Sequence, residues 1–354
     1  MQLDLNSDVV ALTRQLVDIE SVSHDETEIA DAVADALAPC THLEVARRGN
    51  TVVARTALDR PERVVIAGHL DTVPLNDNLP SRMEGDLLYG LGSCDMKGGD
   101  AVILKLAATV PEPTRDVTFV LYDGEEIESE HNGLRKLAES DPELMRADFA
   151  ILMEPSNAVV EAGCQGTMRV EVRSAGERAH SARSWMGRNA IHQAGEVLDR
   201  LRAYQPRRPE IDGLDYYEGL NAVGIRGGVA GNVIPDECVV VINYRFAPDR
   251  SEAEAEAYLR ELFEGYDVQV TDTAPGALPG LAVPAARAFV EAVGGQVNPK
   301  FGWTDVARFS SLGVPAVNFG PGDPMLAHKQ EEHVPVDQIR SCEARLAAWL
   351  GDPR

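Results

Sequence analysis

The sequence predicts an α/β protein, a mixed sheet covered by helices, with a smaller α+β domain inserted into it. Three observations carry this. Short apolar, β-branched runs recur through the first half: Val52-Val53-Ala54, Val64-Val65-Ile66-Ala67, Val117–Leu121 and Phe149–Met153, each bounded by polar loops. Runs that are apolar throughout, without alternation, belong to strands buried on both faces. Between them lie stretches with apolar residues at helical spacing, and after Gly163 the texture changes to half-exposed strands and amphipathic helices. Length agrees, because 354 residues exceed what one hydrophobic core usually serves, so two domains are expected.

Taken in order, Val9, Leu12, Leu16 and Ile19, then Ile29, Val33 and Leu37, predict two helices separated by the turn Ser21-Val22-Ser23-His24. Helices over Lys97 to Ala108 and Asn132 to Glu139 alternate with the strands of the sheet. Beyond Gly163 the pattern predicts a strand at Met168 to Val172, a long helix over Ser184 to Tyr204, and strands at Asn221 to Gly227 and Cys238 to Phe246. A helix over Ser251 to Phe263, whose first residues resemble a cap, and a strand at Tyr266 to Val270 complete the unit. The order β-α-β-β-α-β is that of a ferredoxin-like unit. Pro275-Gly276-Ala277-Leu278-Pro279-Gly280 punctuates the chain, and the first pattern resumes through Val314–Phe319 to a final helix over Val336 to Leu350. The expected division is a large domain in two parts, residues 1–165 and 282–354, with an inserted domain at 166–281.

Composition excludes several classes of function. A net charge of -24 without any cluster of Lys and Arg argues against a polyanion-binding surface, so no nucleic-acid partner is expected. No apolar run approaches the roughly 20 residues of a membrane span, and the first eight residues lack a basic region followed by an apolar stretch, so a cytoplasmic protein without membrane contact is expected. Five cysteines, odd in number and never paired as CxxC, fit reduced thiols. Any metal here must rely on oxygen and imidazole ligands.

Candidate ligands stand where strands stop. His69 and Asp71 come after Val64–Ala67, and residues two apart on a strand share a side, so Asp71 is placed to accept from the imidazole N–H that does not face a metal. Asp95 lies in Gly90-Leu91-Gly92-Ser93-Cys94-Asp95, before a helix; alone it would serve as an N-cap. Glu125 and Glu126 are adjacent carboxylates after an apolar strand, and buried together they repel unless a cation or shared proton intervenes. The nearby Glu128 and Glu130 read as a solvated loop. Glu154 comes after Phe149–Met153, and His328 lies beyond another apolar strand, while His333 reads as a surface residue. Two histidines and three carboxylates, His69, Asp95, Glu126, Glu154 and His328, suit two zinc-type ions sharing one carboxylate, with cobalt or manganese as substitutes. Glu125 then has the placement of a general base.

These segments resemble the zinc metallopeptidase and amidohydrolase family that includes aminoacylase, carboxypeptidase G and acetylornithine deacetylase, over essentially the whole chain and in the family's order. The resemblance implies a zinc-peptidase-like catalytic domain, in two parts, carrying a lid or dimerisation domain. It implies that His69 and Glu154 bind one metal, that Glu126 and His328 bind the other, that Asp95 bridges, that Asp71 orients its histidine and that Glu125 is the base. Within the family, Gly163-Cys164-Gln165-Gly166-Thr167, Arg178-Ala179-His180-Ser181-Ala182-Arg183, Gly231-Asn232-Val233-Ile234-Pro235, Asn243-Tyr244-Arg245-Phe246 and Gly302–Phe309 are similar to the branch that hydrolyses N-succinyl-LL-2,6-diaminopimelate. That likeness implies an anionic N-acyl amino acid substrate, a homodimer through the inserted domain, oxyanion stabilisation by His180 across subunits, and substrate contacts from Asn232, Arg245 and Thr304. Many members of that branch carry Gly-Arg-Arg-Gly-Ser where this chain has Gln165, so Arg178, Arg183 or Arg308 is expected to hold the substrate carboxylate. The alternatives are another N-acyl amino acid such as N-acetylornithine, a dipeptide, or a catalytically silent binding protein of the same fold.

Overall fold

The structure is a computed structural model and describes residues 2–351. The chain divides into two compact units, one of Met1–Ala162, Gly280–Asn298 and Arg308–Arg354, the other of Gly163–Pro279 and Pro299–Ala307. The short segment Pro299–Ala307 thus groups with the second unit, whereas the sequence pattern assigns it to the large domain.

The first unit is built on a mixed sheet. Its early elements are α1 (Val9–Val17), α2 (Thr27–Leu37), β1 (Glu44–Arg48), β2 (Thr51–Arg55), β3 (Arg63–His69), α3 (Lys97–Thr109), β4 (Asp116–Tyr122), β5 (Phe149–Leu152) and β6 (Val160–Ala162). The eight strands lie in the order β1, β2, β4, β3, β5, Ala316–Asn318, β6 and Val297–Pro299. The centre is parallel: β3 pairs in parallel with β4 and β5, and Ala316–Asn318 in parallel with β5, while β1, β2 and β6 join antiparallel. Every residue of β4 and β5 is buried, as two-sided burial requires of non-alternating apolar strands. Four parallel strands therefore end on one edge, and the loops that leave them open side by side.

Helix α3 covers this sheet and is buried along its first eleven residues, including Lys97, whose Nζ donates to the carbonyl of Ile19 at 2.7 Å. Its start lies directly on the end of β5, since a Cβ on Gly99 would come within 2.4 Å of the Met153 carbonyl oxygen. Only glycine permits that approach. Among the described residues no helix is long and apolar enough to cross a membrane.

The second unit holds a four-stranded antiparallel sheet in the order Gly219–Gly227, Glu237–Phe246, Gly166–Ala175, Asp267–Ala274, with helices Ala190–Ala203 and Glu252–Leu262 packed through Val197, Leu259 and neighbouring apolar residues. Ser251 caps the latter helix in a capping box with Glu254, as its first residues predict. The other helix departs from the expected span. Ser181–Met186 forms a 3-10 turn, and the α-helix starts only after Asn189, whose side chain accepts from the amides of Ile191 and His192. Gly187 and a good N-cap outweigh the apolar periodicity that suggests one continuous helix from Ser184.

Candidate metal centre

The first unit's edge gathers the expected ligands because each stands at or beyond the end of a parallel strand or before its covering helix. His69 is the last residue of β3, Glu125 and Glu126 come after β4, Glu154 after β5, and His328 stands beyond Ala316–Asn318. Asp95 precedes α3 without capping it: the cap position falls on Met96, which offers no side-chain hydrogen bond. Its carboxylate lies between two imidazoles, with His69 Nε2 at 3.1 Å from Oδ1 and His328 Nε2 at 3.5 Å from Oδ2. Glu126 Oε1 lies 3.0 Å from the same His328 nitrogen. Ligand atoms of His69, Asp95 and Glu126 all fall within 4.8 Å of one another. Glu154, only 5% exposed, lies outside that mutual group.

Asp71 is fully buried and organises the loops. Its carboxylate accepts from Ser23 Oγ at 2.7 Å and from the amides of Glu125 at 3.0 Å and Glu126 at 3.1 Å. Gly124, at φ +69°, turns the chain so that these two amides come in succession. The expected bond from His69 to the Asp71 carboxylate is not the shortest contact: Nδ1 lies 3.0 Å from the Asp71 carbonyl oxygen and 3.6 Å from its carboxylate. The strand's end curls back on itself, and the main chain fixes the ring while the carboxylate grips the acid loop. Either way Nε2 is left facing Asp95.

The electrostatics of the cluster follow from burial and from the pairing of acids with imidazoles. Burial opposes a charge on His69, yet the hydrogen bond and charge of Asp95, with Asp71 and Glu125 nearby, hold its pKa well above the ordinary value. Hydrogen bonds to the carboxylates of Asp95 and Glu126 raise His328 to about 10. Burial alone would raise Asp95, but His328 and His69 hold it below the usual carboxylate range. Glu126 goes up through burial, against the pull of His328. Two imidazoles drawn toward their charged form by neighbouring carboxylates make a set of N and O donors around concentrated negative charge, which is the donor chemistry a divalent cation takes. The residues present fit metal ions.

The candidates of the second unit are differently disposed. His180 is exposed, and its Nδ1 accepts from the Ala182 amide at 3.0 Å. Asn232 is exposed and its carbonyl accepts from Ser181. Arg178 is held by Asp236 at 2.7 Å, with both side chains largely exposed. Arg183 is exposed. Arg245 is half-buried, and burial together with the like charge of Arg169 lowers its pKa. Thr304 is buried, with its carbonyl 3.8 Å from Cys164 Sγ. Gln165 is buried and donates to the Tyr217 carbonyl at 2.7 Å. In the first unit, Arg308 donates to Ser129 Oγ at 3.2 Å. Glu128 and Glu130 are exposed, as a solvated loop requires.

Two buried groups near the centre escape a reading by motif. Glu332 is 1% exposed and accepts from the amides of Cys94 and Asp95, and burial pushes its pKa up to about 7. Asp100 is fully buried in the first turn of α3, and burial raises its pKa well above the ordinary value. Neither stands just past an apolar strand, so neither carries the positional signal that singles out the ligands.

Comparison with known proteins extends the pattern to the whole chain. The model of peptidase family M20/M25/M40 matches residues 65–352. A putative succinyl-diaminopimelate desuccinylase from Mycobacterium tuberculosis is 57% identical over 352 residues, covering 99% of each chain. A succinyl-diaminopimelate desuccinylase from Corynebacterium glutamicum is 46% identical, over 99% of this chain and 98% of its own. Among solved structures, a tripeptidase from Staphylococcus aureus superposes with a TM-score of 0.79 at 20% identity, covering 99% of this chain and 98% of its own. A dinuclear metal-binding M20 peptidase from Bacillus subtilis gives 0.72 at 17% identity, with 98% and 97% covered. At such identities these two establish the α/β fold alone.

Proposed function

The chain belongs to peptidase family M20/M25/M40, and we propose that it is a metal-dependent amide hydrolase that removes succinate from N-succinyl-LL-2,6-diaminopimelate, leaving LL-2,6-diaminopimelate. The observation that carries this reading is the 57% identity, end to end, to a protein described as that desuccinylase. The proposed place of the reaction is lysine and peptidoglycan precursor biosynthesis, in the cytoplasm.

In this proposal His69 and Glu154 would hold one metal and Glu126 and His328 the other, with Asp95, whose two oxygens face the two imidazoles, as the carboxylate they would share. Two zinc ions bound there, with cobalt or manganese as substitutes, supply Lewis acidity toward the amide carbonyl and toward water. Glu125 takes a proton from the attacking water and passes it to the leaving amine nitrogen as the C–N bond breaks. Asp71 fixes where Glu125 stands by accepting its amide hydrogen. His180, supplied by a second copy of the chain, stabilises the oxyanion. Asn232, Arg245 and Thr304 contact substrate, and a guanidinium holds the succinyl carboxylate. Arg183 suits that role better than Arg178, which Asp236 already holds in an ion pair, and Arg308 is the alternative from the first unit. The second unit, with its strand-helix-strand-strand-helix-strand order, is read as the ferredoxin-like lid and homodimerisation domain, residues 166–281 of the expected division.

The test is a substrate panel on zinc-loaded protein: N-succinyl-LL-2,6-diaminopimelate, N-acetylornithine and dipeptides. The expected result is a kcat/KM for the succinyl substrate at least about 10²-fold above the others. Equal or faster turnover of acetylornithine or a dipeptide would overturn the substrate assignment. Zinc uptake without turnover of any amide would instead mark a silent binding protein.

A further inference from the structure

We infer that Glu332 is a positioning residue that clamps the loop bearing the bridging carboxylate to the loop bearing His328, an inference resting on the two-metal reading above. Glu332 lies four residues after His328 and directly before the strand His333–Pro335. That strand pairs antiparallel with Leu87–Tyr89, Val334 opposite Leu88, so the ladder sets the Gly90–Asp95 loop beside the 328–332 segment. Glu332 then locks the two together. Its Oε1 accepts from the amides of Cys94 at 2.9 Å and Asp95 at 3.1 Å, while its own carbonyl accepts from the Gly90 amide at 3.2 Å. Cys94 Sγ adds a contact to the Asp323 carbonyl at 3.2 Å on the same two loops.

A carboxylate only 1% exposed, placed behind another carboxylate, is a poor choice for packing alone. Successive main-chain N–H groups aimed at one point form a concavity that an acceptor of the right reach fills. Fixing the amides at 94 and 95 fixes the Asp95 Cα, and with it the aim of two oxygens that face imidazoles on opposite sides. Outer partners of this kind typically change metal affinity about 10- to 100-fold when removed.

The experiment is a cobalt(II) titration of the metal-free protein followed by visible absorption, a readout of the metal itself, with circular dichroism and Tm of each metal-free variant as the folding control. Wild-type protein takes up two equivalents. Glu332→Ala binds the second at least about tenfold more weakly with an altered d–d spectrum. Glu332→Gln keeps an acceptor at the same reach and stays within about threefold of wild type. Glu332→Asp, shorter by one C–C bond of about 1.5 Å, falls with the alanine variant and replaces it if that variant does not fold. Two-equivalent uptake by wild type with unchanged affinity in Glu332→Ala or Glu332→Asp overturns the inference alone, as does Glu332→Gln falling as far as they do. Wild-type uptake of fewer than two equivalents overturns the two-metal reading and the inference with it.

Discussion

The first unit buries most of its chemical groups, the half-exposed His328 apart, and interlocks them, whereas the second leaves most of its candidates on the surface. His69 and Asp71 are essentially inaccessible, and Asp95 is held on one side by His69 and on the other by His328. Arg178, Arg183, His180 and Asn232 are exposed, and Arg178 already has a surface partner in Asp236. The difference teaches where preorganisation comes from. Strand ends of a buried parallel sheet have little freedom, so side chains just beyond them are aimed before any ligand arrives. Exposed arginines keep their rotamer freedom and lose it only on binding.

The most severe way to test this contrast is at the base. Glu125→Gln keeps shape and hydrogen-bonding while removing the proton acceptor, and kcat falls about 10³-fold with metal content unchanged by elemental analysis. A near-normal rate would remove Glu125 from the mechanism. One step outward, Asp71→Asn loses an acceptor for Ser23 and the amides of the acid loop, and metal affinity in a competitive chelator titration drops about 10- to 100-fold. If affinity holds, the interlocking is packing and not preorganisation.

In the second unit the effects are smaller. Arg245→Ala raises KM about tenfold with kcat little changed, because a half-buried guanidinium beside Arg169 lacks easy compensation from solvent. A wild-type KM in that variant would remove Arg245 from the substrate contacts.

His328 makes a pH signature of the metal-free state. Its folded pKa of about 10 exceeds the unfolded value near 6.5, so the stability it contributes is complete below about pH 6.5 and is lost as pH rises through 10. With the side chain half exposed the effect is modest. The Tm of chelator-treated wild type should fall about 2–4 °C more than that of His328→Gln between pH 7 and pH 10, measured by scanning calorimetry. Parallel curves would show that the imidazole is not charged there. Smallest of all, Arg178→Ala changes kcat/KM less than about twofold, since an exposed ion pair contributes little. A drop as large as that of Arg245→Ala would erase the distinction between the two arginines.

Much of the fold and of the candidate metal centre is legible in the residues alone. Continuous apolar runs mark β3, β4 and β5, and a carboxylate or histidine at or just past the end of each marks the candidate centre, because parallel strands end on one edge. The Ser251 capping box is equally local. The long helix expected from Ser184 is too long because apolar periodicity carries across Gly187, while the competing N-cap at Asn189 acts only through its geometry. Glu332 and Asp100 give no signal for another reason. Nothing in the spacing tells a buried acid in a loop or helix from a solvated one.

Periodicity and the residue types at the strand ends are enough to read the class of fold and the candidate ligands in their order along the chain. Only the tertiary structure decided which acids meet which imidazoles, that the Asp71 carboxylate grips the Glu125–Glu126 loop more closely than it does His69, that Arg178 is held by Asp236, and that Glu332 reaches Cys94 and Asp95. Those pairings join residues as many as 238 positions apart. A local pattern extends over a few residues, while a hydrogen bond is fixed within tenths of an ångström by the packing of the whole unit.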